Sequence, residues 1–180
     1  MIIWLLFIII IAFCIIGTYL GRERKANLMK KGWTIVREAK FFDKREYLFS
    51  KAEYEDVRRS VLEDSFNAPE AAGLSGMEAY KNGYDIIASI VIDEDRANKI
   101  LFFRTNGRYT WAAHFALIKQ TDHENTYEFS FERWKTRNAT TDTTSMNYVL
   151  TAVEKAILKY DPETRFELVK NDYDTKYRPF

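Results

Sequence analysis

Between Ile2 and Leu20 the chain carries no charged side chain, and only Gly17, Thr18 and Tyr19 interrupt a run dominated by Ile, Leu and Phe. At about 1.5 Å per residue, a helix of this length reaches roughly 28 Å, the depth of a bilayer's hydrocarbon layer. In that medium each backbone amide must pair within the segment, which predicts a membrane-spanning helix. Trp4 and Tyr19 stand near its ends, where amphipathic rings favour the membrane–water boundary. Other readings fit less well. A cleaved signal peptide needs a basic start, a shorter apolar core and small residues at its exit. Here the start is uncharged and Gly17-Thr18-Tyr19 makes a poor exit. A lipid-modified cysteine would follow a small residue, whereas Cys14 follows Phe13. A core helix that is apolar on every side exceeds what a small domain usually covers.

Direction follows from charge. Nothing basic precedes the apolar run except the amino terminus, while Arg22, Arg24, Lys25, Lys30 and Lys31 follow it against Glu23. Basic flanks stay on the cytoplasmic side, so the sequence predicts an exterior amino terminus and a cytoplasmic domain. The same five cations would lie against anionic lipid headgroups. Three units result: an anchor over 1–21, a basic juxtamembrane segment over 22–32, and a domain over 33–180.

Composition narrows the function. Residues 21–40 carry seven basic and two acidic side chains; residues 41–180 carry twenty basic and twenty-four acidic. The domain is mildly acidic and lacks the field that attracts nucleic acid. Cys14 is the single cysteine and lies in the apolar run. An intramolecular disulfide, a cysteine-based zinc site and a thiol nucleophile in the domain are thereby excluded.

Along the domain, Gly32 is expected to end the first helix, and "WTIVREAKFF" (33–42) to form a strand. A helix is expected over about 51–66, from the spacing of Tyr54, Val57, Val61 and Leu62 and a Ser50/Glu53 capping pattern. Residues 67–83 read as a long irregular loop with a short helix around Met77–Lys81. Period-two runs then predict strands over 84–93 and 99–105, a hairpin at Asn106-Gly107, and strands over 108–119 and 126–137. Tyr109, Trp111, Ala113, Phe115 and Leu117 share one face with Tyr127, Phe129 and Phe131. Thr110, His114, Glu128, Ser130 and Glu132 take the other. A helix over 146–160 should bury Val153 and Ile157 on the apolar face, its start capped by Thr144 or Ser145, and "RFELVK" adds a last strand. The expectation is an α+β fold: a single-pass N-terminal transmembrane helix, then one domain with an antiparallel β-meander of about 4–6 strands packed against two helices.

Chemistry is sparse. No zinc-protease, dinucleotide, P-loop or calcium-loop pattern occurs. "GLSG" (73–76) falls short of a nucleophile elbow, leaving Ser75 a loop serine. Asp93, Glu94 and Asp95 lack the alternating oxygen spacing of a calcium loop. No metal or cofactor is implied. His114 faces Ser130 or Glu132 across a hairpin, which suits a general base or, more simply, a hydrogen-bonded structural histidine. The expected binding site joins the 67–83 loop (Leu74, Ser75, Met77) to the polar sheet face (His114, Ser130, Glu132), because adaptable loops on rigid scaffolds tend to carry function. The expected function is a membrane-anchored, non-enzymatic binding or adaptor module whose partners are the bilayer and a protein or peptide. The alternatives are a tethered enzyme using carboxylates and His114 under that loop, or a structural subunit of a membrane complex.

Overall fold

The computed structural model describes residues 2–33, 39–67, 69–93, 98–105, 110–134 and 143–170. Helix α1 spans Ile2–Lys30, so the apolar run and the basic stretch form one helix of 29 residues. It ends at Gly32 as the sequence implied. Gly32 adopts φ +60, its N–H donates to Met29 O, and Trp33 N–H donates to Leu28 O. That double return satisfies the last carbonyls of the helix and favours contact between the residues at its two ends, Leu28 and Trp33.

The strands are β1 (Lys44–Ser50), β2 (Ile90–Asp93), β3 (Lys99–Thr105), β4 (Thr110–Lys119), β5 (Asn125–Trp134) and β6 (Arg165–Lys170). They form one antiparallel sheet in the order β2-β3-β4-β5-β1-β6. The expected meander is therefore present as β2 to β5. Asn106-Gly107, Thr140–Asp142, Glu94, Asp95 and the tail 171–180 lie outside the described residues.

Helices α2 (Tyr54–Ser60), α3 (Gly76–Asn82), α4 (Tyr84–Ala88) and α5 (Thr143–Tyr160) complete the domain. Helices α2 and α5 cover the sheet face that carries Trp111, Ala113, Phe115, Tyr127, Phe129 and Phe131, and all of these belong to one buried cluster with Val57, Val153 and Ile157. Val153 and Ile157 are fully buried, as their spacing implied. Phe115 stacks on Tyr127 at 5.3 Å, and Trp111 meets Phe131 edge-on at 5.7 Å. The indole N–H of Trp111 donates to Ser145 Oγ at 2.8 Å, so this buried ring leaves no polar atom unmet. Ser145 thus lies inside α5, which begins at Thr143, and serves the core as an acceptor.

Three local expectations are corrected. The first strand is not 33–42. Of that stretch 34–38 lie outside the described residues, Ala39–Asp43 forms a 3₁₀ turn, and β1 begins at Lys44. The segment "KREYLFS" has little local strand signal at its charged start. It becomes a strand because β5 and β6 satisfy both of its edges. Second, Tyr84–Asp93 is a strand only from Ile90. Ile86, Ile87 and Ile90 are buried at helical spacing, and Gly83 at φ +79 ends α3 and starts α4 in one residue. Third, Ser50 does not cap α2. Its hydroxyl donates to Asp161 Oδ2 at 3.0 Å and accepts from Ala52 N–H, while Glu53 holds the N-cap position without a side-chain bond. The expected helix over 51–66 runs as α2 and then widens into a π-helical turn, Val61–Ser65.

Candidate functional site

Register places His114 opposite Ser130 across β4 and β5, and opposite Leu101 of β3. Alternation turns it away from α5, onto the outer face of the sheet. Glu128 and Glu132, two residues either side of Ser130, fall on the same face by the same alternation, with a register shift in the pairing at Ala112/Ala113. Both imidazole nitrogens are engaged: Nε2 lies 3.0 Å from Glu128 Oε1, and Nδ1 lies 3.0 Å from Glu132 Oε1. The row continues outward, with Arg45 Nη1 3.2 Å from Glu128 and Lys99 Nζ 3.5 Å from Glu132. Burial is the largest influence on His114 and pushes its pKa down; the two glutamate bonds together outweigh it, so the net shift is upward. Burial likewise pushes Glu128 up, and the bond from His114 with the charges of Arg45 and His114 brings it below its ordinary value. Glu132 is held down to about 2, chiefly by its bond from His114. With both ring nitrogens held by carboxylates, His114 keeps no open nitrogen for a substrate, and the geometry describes a closed row rather than a base awaiting one.

The other half of the expected site lies elsewhere. Leu74, Ser75 and Met77 are exposed and belong to α3 and the turn before it, beside α1 rather than against His114. Ser75 caps α3: its Oγ accepts from Glu78 N–H at 3.3 Å, and the Glu78 carboxylate accepts from Ser75 N–H at 3.1 Å. This reciprocal pair was legible as S-x-x-E, but the sequence reading placed a capping box at Ser50 instead.

The basic stretch of α1 divides in two. Arg22, Lys25 and Lys30 are exposed. Arg24 makes a forked pair with Asp85 at 2.9 and 3.0 Å and lies 4.2 Å over the Tyr80 ring. Lys31 sits 4.3 Å over both Trp33 and Tyr84. Glu23 pairs with Lys81 at 3.3 Å, and Asn27 donates to Lys81 O at 3.2 Å. Leu28 is buried against Gly83, where any Cβ would stand 2.3 Å from a Leu28 methyl. The end of α1 is therefore built into the domain. The sequence carried no sign of this beyond charges that topology already explained.

Two further features are a cleft that the sequence did not foretell and the exposure of the strand expected at "RFELVK". A cleft of about 280 Å³ opens between the end of α1 and α5, lined by Lys31, Trp33, Asp64, Tyr148, Lys155 and Lys159. Lys159 spends its charge on Asp64 at 2.8 Å. The second is β6, the last strand of the sheet, with all six residues exposed. Among the described residues no group of three His, Cys, Asp or Glu side chains can hold a metal ion. Among the described residues one helix, α1, is long and apolar enough to cross a membrane. No family model matches the chain, and neither the curated proteins nor the solved structures contain a significant match to it.

Proposed function

We propose that this chain is a single-pass membrane protein whose domain faces the cytoplasm and acts as a non-enzymatic adaptor, receiving an extended segment of a protein partner along β6. The observation that carries the reading is the free side of β6. This strand pairs with β1 and, among the described residues, with no other strand. Phe166, Leu168 and Val169 stand about two-fifths exposed. A row of backbone donors and acceptors beside apolar side chains is the surface onto which an extended peptide adds as a new strand. The closed ion row around His114 supports binding over catalysis, since both of its nitrogens are taken. The five cations between Arg22 and Lys31 support the orientation.

Photo-crosslinking in intact membranes tests the reading. A benzophenone amino acid replaces Leu168 in one variant and Glu55, on the solvent side of α2, in a control. The expected result is a discrete adduct from position 168 alone, mapping to one contiguous stretch of the partner. Equal products from both positions, or none from 168, would sink it. A reporter fused to the carboxyl terminus is expected to be active only on the cytoplasmic side.

A further inference from the structure

Helix α3 runs beside α1 in the same direction, and a ladder of contacts fixes its level. Gly17 and Leu20 of α1 line one shallow apolar groove with Gly76, Met77 and Tyr80. Higher up, Tyr80 meets Arg24, Lys81 meets Glu23 and Asn27, and Gly83 meets Leu28. The start of α3 is therefore level with Gly17–Leu20, the last turn of the uncharged run. If α1 spans a bilayer, this part of the domain cannot stand clear of it.

We propose that α3 and the turn before it are seated in the lipid interface beside α1, with Leu74 and Met77 immersed at the edge of the acyl chains. The proposal rests on the reading of α1 as a membrane span. Four observations carry it beyond level alone. Met77 and Tyr80 lie three residues apart on one side of the helix, Leu74 precedes them by three in the turn before it, and the three are 55%, 38% and 36% exposed. Although α1 lies beside it, none of the residues of α3 is buried, so part of its apolar side stays uncovered among the described residues. The first N–H groups of a helix are costly to leave unpaired in a medium without water. Here the Ser75–Glu78 pair satisfies two of them internally. Arg22 and Lys25, exposed on the same stretch of α1, stand where anionic headgroups would meet them. Two fixed points, a span and a wedge, would set how the domain tilts on the membrane, which a span alone leaves free to rotate.

The test uses the full chain reconstituted in vesicles of phosphatidylcholine and phosphatidylglycerol. With Cys14 replaced by Ser, single cysteines are introduced as Leu74→Cys, Met77→Cys, Ile10→Cys and Glu55→Cys, and each is labelled with a nitroxide. Collision with oxygen, which concentrates in hydrocarbon, is compared with collision with a water-soluble nickel chelate. The expected result is loss of nickel collisions with retained oxygen collisions at 74, 77 and 10, and the reverse at 55. Nickel access at 74 and 77 with position 10 protected would overturn the wedge and leave the span standing. Nickel access at position 10 would overturn both. Protection of 74 and 77 from both reagents would mean that a second copy of the chain covers them, which also overturns the lipid contact. The two positions report independently, and unchanged thermal melting of each labelled protein excludes misfolding as the cause.

Discussion

Helices α1 and α5 show how little hydrophobicity alone says about burial. From Ile3 to Tyr19 every residue of α1 is exposed, although this is the most apolar stretch of the chain. Helix α5 mixes charged, polar and apolar residues, yet twelve of them are buried, from Ser145 to Ile157. The difference lies in the pattern. The apolar residues of α5 recur at i, i+3 and i+4 and meet an aromatic sheet face of matching width. Those of α1 point in all directions; only α3 comes beside them, at Gly17 and Leu20, and the first to be buried is Leu28. A helix so exposed and so apolar is long enough to cross a membrane, which is what the proposed reading of α1 uses.

The comparison would break first at the core. Ile157→Ala should cost about 2–5 kcal/mol, because transfer and cavity terms add in a closed site. Thermal or denaturant melting of the detergent-solubilised chain checks this, and a loss below a few tenths would mean that α5 does not face the sheet. Next comes the point where α1 changes character. Leu28→Ala, in the same assay, should cost about 2–4 kcal/mol, since its methyls fill the space over Gly83. Substituting Ile10 by Ala at the other end of α1 should leave domain melting unchanged within about 0.5 kcal/mol. If Ile10 behaved like Leu28, the apolar half of α1 would be packed against protein after all.

Between these extremes lies the ion row on the outer face. His114 has a raised folded pKa, so its contribution is fully present below the ordinary value of 6.5 and is lost as pH rises through the folded value. Glu128 and Glu132 are lowered, so theirs is present above 4.5 and is lost as pH falls, toward about 2 for Glu132. The row is strongest between those two ordinary values. There His114→Gln should cost about 1.5–3 kcal/mol, the scale of hydrogen bonds to charged groups. The gap between variant and parent should narrow as pH rises past the folded value of His114. A gap that stays constant in melts from pH 5 to about 9 would show that the imidazole is neutral and the row uncharged.

What the sequence made legible follows the range of the forces involved. The meander, α5 and the end of α1 are set by local pattern, and each was readable: the alternation of Trp111 to Leu117, the spacing of Met146 to Ile157, and Gly32. What escaped depends on partners distant in the chain. Strand β1 exists because β5 and β6 flank it, and Ser50 is diverted from capping by Asp161, more than a hundred residues away. His114 and Glu132 were paired correctly in outline from cross-hairpin proximity. Glu128, the second partner, was placed on the right face but not next to the ring. The expected union of the 67–83 loop with His114 needed a fact that no local pattern carries, namely which side of the sheet the loop packs on. Its apolar residues instead follow α1.

The position of β1 in the sheet has a consequence for how the chain is made. Its neighbours are β5, where Ser50 lies opposite Asn125, and β6, where Phe49 lies opposite Arg165. At roughly 5–20 residues per second, a ribosome would take roughly 6–23 seconds to pass from Phe49 to Arg165. If α1 spans a membrane, as proposed, it would already be inserted and would hold the unfinished domain at the surface. Throughout that interval β1 has at least one bare edge, and Leu48 awaits the core that will enclose it. Two nascent chains on one polysome, tethered in the same plane of membrane, would present those edges to each other. A chaperone that shields them, or fast synthesis through β6, would then decide how much of the protein reaches its sheet alone.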